Sequence, residues 1–521
     1  MKALKKIFWL STLAIPFALA LPGCTKFLDR KPLQATLNDL NQGALESQSF
    51  GMYSTLRSYA GFSSLPWLDF HSIRDDDAQK GSSTTDGAEI NAEFETFQYT
   101  KNDWATNTYW NDHFYMIQLA NQALHLADSL KLSDPSSLRN VGEACFFRAY
   151  SYFELVKAYG DVPLLNFYSQ NAKDLIKPKS PAATIYQLID SDLNVASQYL
   201  PIQWTDNNGN VNYRGRLTSG AAKSLWAQTY LFRSNWAAVR GLCEDVINSG
   251  VYKLDSPFVN IWKDGVGAAG KNGPESIFEM QASVGKNGTN YYGVAWGTSQ
   301  NVRQGGATTA WNLGWGWNTP TDNLVTAWDN TDPRKAATIL FSGQSDGGPA
   351  TGGYGATLPA YGPGVSLDQK YWNKKVYSDP AMRAYTGEIG SGGAADWINH
   401  RIIRYADVIL MEAEAANELN DGATAETMLE MVRHRARNGG DPATVLPHIA
   451  YANQSQMRTA IKNERRWEFA MEGSRFYDLV RWNDALSVLG GLGYTNKNAL
   501  YPIPQPAIDL SGGVLIQNPN Y

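Results

Sequence analysis

Two stretches of this chain set flat aromatic rings among hydrogen-bonding side chains in polar, glycine-rich surroundings. The first runs from Trp67 to Gly81 and carries Asp69, His71, Arg74, Asp75, Asp76, Asp77 and Gln79. The second runs from Tyr291 to Trp317 and carries Tyr292, Trp296, Asn301, Arg303, Trp311 and Trp315. Indole and phenol rings stack on the apolar faces of sugar rings, while carboxylates, amides and guanidinium groups bond the hydroxyls. Ligand pockets combine such an apolar floor with a few placed polar groups, and Tyr and Trp supply both. The residues expected to touch such a ligand are Trp67, Asp75, Asp77, Gln79, Tyr292, Trp296, Asn301, Arg303 and Trp311. Tyr292, Trp296 and Trp311 are expected not all to be buried, because the segment lacks a period that would gather them on one face.

Other chemistry is thinly represented. Asp75-Asp76-Asp77 offers hard oxygens to Ca²⁺, or is a solvated turn. A carboxylate pair could serve glycoside hydrolysis, but no second carboxylate stands at a defined distance. There is no His-Glu-x-x-His, no paired Cys-x-x-Cys and no Gly-x-Ser-x-Gly. Gly265 to Gly270 spells a dinucleotide pattern. Ile261 to Asp264 is a poor strand before it, however, and Asn272-Gly273-Pro274 cannot open a helix after it. The six histidines are scattered singly. No catalytic residue, metal-ligand set or cofactor is expected, Ca²⁺ at the aspartate run being the one alternative. A net charge of −5 without a basic patch argues against nucleic acid as a partner.

The elements that must position these loops are helices. The pattern predicts helices over 41–59, 112–130 and 141–159, the last with Val141, Cys145, Ala149, Tyr152, Val156 and Tyr159 on one face. Gly160 and Pro163 stop it. Ser180-Pro181 reads as the cap and first position of a helix over 182–200. Residues 217–248 read as a helical hairpin, with Ala221, Ala222 and Ala227 letting the arms approach. Residues 401–419 and 424–437 read as another. Such pairs resemble tetratricopeptide hairpins. Cys145 and Cys243 fall on apolar faces of separate helices and read as buried free thiols. From 251 to 398 the helical period is lost, and Gly, Asn, Thr and Trp dominate.

The N-terminus reads as a targeting segment. Lys2, Lys5 and Lys6 precede an apolar run from Ile7 to Ala20, followed by Leu21-Pro22-Gly23-Cys24. A short apolar run behind a basic start is a secretory signal rather than a membrane span. The cysteine after small residues fits a bacterial lipobox, with Cys24 lipidated and residues 1–23 removed. Its acyl chains would anchor the body to a membrane.

The stretch from Asn463 to Trp482 interleaves charge and aromatics at helical spacing. Glu472 and Arg475 stand three apart, as do Asp478 and Arg481, so each pair is expected to meet on one face. Gly473 marks a helix end or a close backbone. The whole reads as a helix pair buried at a seam, with a catalytic role for Glu464, Glu468 or Glu472 the lesser reading. Glu464-Arg465-Arg466, Glu468-Phe469, Glu472-Gly473, Arg475, Asp478-Leu479 and Arg481-Trp482 resemble the C-terminal signature of the SusD/RagB family. Cys24 to Asp29, Gly142 to Leu164, Arg404 to Met411 and Tyr501 to Pro504 resemble further blocks of that family. Trp315-Gly316-Trp317 with Pro320-Thr321 resembles a recurring family segment, which assigns Trp315 and Trp317 to packing.

The resemblance implies a mainly α fold. It would be a tetratricopeptide-like helical-hairpin scaffold split into 24–250 and 399–521 by a loop-rich subdomain, 251–398, with short strands. It further implies a non-catalytic lipoprotein of the outer membrane that binds oligosaccharide or polysaccharide. Such a protein hands its ligand to a SusC-like TonB-dependent transporter. A secreted glycoside hydrolase and a scaffold lipoprotein without sugar affinity are the alternatives.

Overall fold

The computed structural model describes residues 43–521 apart from 84–85, 88–92, 207, 213, 265–269, 305–309, 363–368 and 388–394. Cys24, the lipobox and most of the Gly265–Gly270 motif therefore lie outside the described residues. The N-terminal half runs α1 (Gly43–Ser58), α2 (Ala60–Ser63), α3 (Leu65–His71), β1 (Ala78–Gly81), α4 (Trp104–Ser129), α5 (Pro135–Tyr159), α6 (Ala182–Tyr199), α7 (Ser219–Phe232) and α8 (Trp236–Asn248). Then come β2 (Ser276–Met280), α9 (Ala295–Gln300), β3 (Trp317–Pro320), β4 (Ile339–Phe341), β5 (Tyr371–Asn373) and β6 (His400–Arg404). The chain closes through α10 (Tyr405–Glu418), α11 (Gly422–Arg437), α12 (Gln454–Glu468) and α13 (Arg475–Arg481).

The mainly helical expectation holds, and its departures have local causes. Helix α5 starts ahead of Val141 because Asp134 accepts from the Ser136 and Ser137 amides, both at 3.0 Å, with Pro135 at the first position. It ends at Gly160, whose φ of 72° only glycine adopts freely. It is buried on nearly every side between α4 and α6, its inward Glu143, Arg148 and Glu154 paired with Arg216, Asp192 and Lys157. Helix α6 is capped not by Ser180 but by Asp161, which accepts the Ala182 amide at 2.8 Å. In α7 the alanines 221, 222 and 227 are fully buried, and the arm closes on α8. Helix α8 packs on α10, and α10 on α11 and α12, so the hairpins stack in series. Cys145 and Cys243 are buried free thiols.

The helix expected from Arg401 begins only at Tyr405. His400-Arg401-Ile402-Ile403-Arg404 is a strand instead, its paired isoleucines suiting a pleated surface. It pairs antiparallel with β2, so the loop-rich segment is sewn to the C-terminal helices by a ladder. Likewise β1 pairs with β3, tying the first aromatic stretch to the second, and β4 pairs with β5. A small separate core of Val302, Leu313, Leu340, Leu358, Trp372 and Tyr377 supports the loops.

The signature folds as α12 and α13, with Gly473 at φ 82° between them. Asp478 and Arg481 meet at 2.8 Å, as their spacing predicts. Glu472 and Arg475 do not meet, because the left-handed glycine between them reverses the chain and helical spacing loses its meaning. Glu472 instead accepts from Arg404 at 2.8 Å and Lys375 at 2.6 Å, and Arg475 grips Asp76 at 2.9 Å. Glu464 and Glu468 are buried in ion pairs with Arg334, Arg433, Arg404 and Arg435, which leaves them no face toward a substrate.

Candidate functional site

The second aromatic stretch folds into a hairpin. Val302 carbonyl accepts the Leu313 amide at 2.7 Å and the Gly314 amide at 3.0 Å, and Trp311 carbonyl accepts the Gln304 amide at 3.1 Å. The Trp315 amide then bonds Thr298 carbonyl at 2.8 Å, which hangs this turn from α9. Gly316, at φ 74°, is required here. A Cβ on it would stand 3.0 Å from the Arg303 Cβ and 3.2 Å from the Trp372 ring. Gly81 of β1 packs against the same turn, and the Ser82 amide bonds Gly316 carbonyl at 2.6 Å.

This framework presents a face. The Trp315 ring is 38% exposed, although its sequence context assigned it to packing; Trp317 beside it is buried as expected. Trp311 is half-buried and lies parallel to Tyr377, with ring centroids 6.2 Å apart. Half-exposed Arg303 donates to Ser82 Oγ at 3.0 Å and pairs with Asp86. Gln79 Nε2 donates to Thr319 Oγ1 at 3.3 Å and Gln369 Oε1 at 3.2 Å, and Gln369 donates to Ser82 carbonyl at 3.1 Å. Gln79 and Arg303 are thus brought together around Ser82, Asp86 and Gln369, with Trp315 on the adjoining turn, while the Trp311 ring packs on Tyr377 and the small core. Of Ser82, Asp86, Gln369 and Trp315, sequence reasoning weighed only Trp315. A planar ring beside a guanidinium–carboxylate pair and amides suits recognition of a polyhydroxylated ligand. Tyr292 is 54% exposed but separate, with the Arg57 guanidinium 5.2 Å from its ring centroid.

The other expected contacts point inward, and each has a structural partner. Trp296 is 1% exposed and stacks on His400 at 4.5 Å and 8°. Trp67 is buried against the edge of the same His400 at 4.5 Å and stacks on His71 at 4.4 Å. Gly473 makes room for Trp67, since a Cβ there would stand 2.6 Å from the indole. Buried Asn301 spends its side-chain oxygen on the Val302 amide at 2.8 Å. Asp75 is buried and accepts the Asp77 and Ala78 amides at 2.8 and 2.9 Å. Burial, and then the charges of Asp77 and Asp76, raise its pKa well above the usual carboxylate range. Asp77 is clasped by Arg466 at 3.0 and 3.1 Å. The aspartate run is thus not a solvated turn: Asp76 and Asp77 are engaged by Arg475 and Arg466. It ties the first loop to the C-terminal signature, with arginines where a cation was the alternative. Among the described residues, no three His, Cys, Asp or Glu side chains gather as a metal site.

A sequence model of the SusD family matches residues 274–498, and one described as starch-binding associating with outer membrane matches 26–231. The chain belongs to the SusD family. SusD-like protein P2 of Formosa agariphila is 26% identical over 470 residues, 86% of this chain and 87% of its own length. A SusD-like protein of Bacteroides ovatus is 25% identical over 420 residues, 75% of this chain and 68% of its own. Among solved structures, a laminarin-binding SusD-like protein is 26% identical with a TM-score of 0.72, covering 92% of this chain and all of that one. Surface glycan-binding protein A of Bacteroides thetaiotaomicron, in complex with laminarihexaose, shares the fold. Its TM-score is 0.71 at 21% identity, over 92% of this chain and 99% of that one. SusD-family proteins are glycan-binding and non-catalytic, which agrees with the lack of a catalytic motif in this sequence. Among the described residues no helix is long and apolar enough to cross a membrane.

Proposed function

We propose that this SusD-family chain is a lipid-anchored outer-membrane protein that binds glycan and passes it to a TonB-dependent, SusC-like transporter. The observation that carries the glycan part is exposed Trp315 beside Arg303 and Gln79, with the backbone at 302–304 paired to 311–314 beneath them. The similarity to a laminarin-binding protein supports a β-glucan, and the starch-binding description of the N-terminal match supports an α-glucan. This reading needs no cofactor.

The test is calorimetric titration of the purified protein with laminarin and with starch. Trp315→Ala and Arg303→Ala are each expected to weaken binding about ten- to a hundredfold, roughly 1.4–2.7 kcal/mol. One removes a ring and the other removes a guanidinium donor, leaving the Asp86 carboxylate its bond from Ser82 Oγ. Variants that bind like the parent would place the site elsewhere, and turnover of either polymer would favour the hydrolase.

The anchor rests on Cys24 behind its basic and apolar leader. Cys24→Ala is expected to yield a folded protein that no longer sediments with outer membrane. Retention in a detergent-free membrane fraction, in cells lacking the transporter, would sink the anchor. The transporter itself follows from the family resemblance and is tested by co-purification.

A further inference from the structure

We propose that the glycan face continues past Trp315 to a second platform made by Tyr59 and Tyr115, so that the protein grips an extended polysaccharide along its length. This rests on the glycan reading above and adds a distal subsite to it.

Tyr59 is 37% exposed and Tyr115 44%, yet the two rings are not loose. They stack with centroids 5.1 Å apart and planes 18° from parallel. Tyr59 sits at the α1–α2 junction. Its amide bonds Thr55 carbonyl at 3.1 Å, and its own carbonyl accepts Ser63 Oγ at 3.0 Å. Asp112 accepts the Gly61 amide at 2.8 Å and so pins α2 to the turn of α4 that carries Tyr115. A Cβ on Gly61 would stand 2.9 Å from that carboxylate, so glycine permits the approach. Ordered aromatic rings lose little entropy on binding, which makes them good anchors.

Polar groups suited to hydroxyls lie alongside. Two residues before Tyr59, Arg57 donates to Ser54 Oγ at 3.1 Å and leans over Tyr292. Tyr292 is fixed by a two-way backbone bridge to Ser283, at 2.7 and 3.0 Å. Tyr115 also lines a groove of about 350 Å³ with Trp110, Phe114 and Leu175. On its wall the buried Nε2 of Gln118 has no partner. An apolar floor with an unsatisfied amide donor is the combination a sugar ring with its hydroxyls fills.

Contacts join this platform to the first. Helix α2 packs on α9, and Ser64 Oγ lies 3.4 Å from Ser299 Oγ. The neighbouring Thr298 carbonyl is the acceptor that holds Trp315. The two platforms therefore hang from one α2–α9 contact. A short oligosaccharide on Trp315 leaves Tyr59 and Tyr115 empty, whereas a polymer reaches both.

The experiment titrates the parent, Tyr59→Ser/Tyr115→Ser and Arg57→Gln with laminarin, laminaritriose, starch and maltotriose. The tyrosine variant alters exposed side chains and Arg57→Gln a half-buried one, and thermal melts check that both fold. The expected result is a polymer affinity lowered about tenfold or more in the tyrosine variant, and by less in Arg57→Gln, with the trisaccharide affinity unchanged. Polymer binding equal to the parent overturns the distal subsite and leaves the Trp315 face standing. Equal loss for polymer and trisaccharide also overturns it, because the rings would then belong to the first site. A parent that binds none of the four probes overturns the glycan reading itself, and this subsite with it.

Discussion

Glu468→Ala is expected to lower stability by about 3 kcal/mol, near the lower end of the usual 3–5 kcal/mol for breaking a buried ion pair. Glu468 is fully buried, and three guanidinium groups converge on its carboxylate. Arg334 reaches it from the loop-rich segment at 2.9 Å, Arg404 from the end of β6 at 3.0 Å, and Arg435 from α11. Burial alone would favour the neutral acid, but Arg435, Arg404 and Arg334 outweigh it and hold the pKa below the ordinary glutamate range. Each arginine keeps another carboxylate, Asp332 and Glu464 for Arg334 and Glu275 for both others, and this moderates the loss. With the folded pKa depressed, the contribution is complete above the unfolded glutamate pKa and fades as pH falls below it. Denaturant titration at pH 7 and at pH 4 checks both points. The mutant should lose more at pH 7, and Glu468→Gln, which keeps the shape but not the charge, should lose comparably. A midpoint unchanged at pH 7 would remove Glu468 from the centre of the seam.

That seam was legible in the sequence as a charged, aromatic helix pair, but its wiring was not. Helical spacing reports contacts only while the helix continues. It succeeded for Asp478 and Arg481 inside α13 and failed for Glu472 and Arg475 across Gly473. The partners of those residues lie 68 to 399 positions away, and no local pattern encodes them. The same limit applies to the helix starts. Pro135 opens α5 through a neighbouring Asp134, a readable signal, whereas the Asp161 that caps α6 is distant in sequence. Short strands such as β6 escape a periodicity test because five residues are too few to tell a period of two from one of about 3.6. In the candidate site, residue types singled out Arg303 and Gln79, and the structure sets both beside Ser82, Arg303 directly and Gln79 through Gln369. Which tryptophan faces solvent was decided by long-range packing. His400 covers Trp296 and Trp67, while Trp315 stays 38% exposed.

Trp296 carries the other large expected effect. From the sequence, Trp296→Ala should abolish glycan binding without changing the fold. From the structure, the indole is a core side chain under α9, face to face with His400, and Trp67 meets that imidazole edge-on. Removing a buried tryptophan typically costs about 3–5 kcal/mol through lost transfer energy and the cavity left behind. Trp296→Ala is therefore expected to lower the melting temperature markedly, and Trp296→Phe to recover much of the loss. Binding should weaken only as α9 shifts, because Thr298 of that helix holds the Trp315 turn. Melts and laminarin titrations of both variants separate the two accounts. If Trp296→Ala melts like the parent yet binds no glycan, the ring touches ligand and the aromatic stack around His400 is not its native setting. If Trp296→Phe restores both stability and binding while Trp315→Ala loses affinity but keeps its stability, the division of labour is fixed. One tryptophan then builds the platform from beneath, and the other meets the sugar.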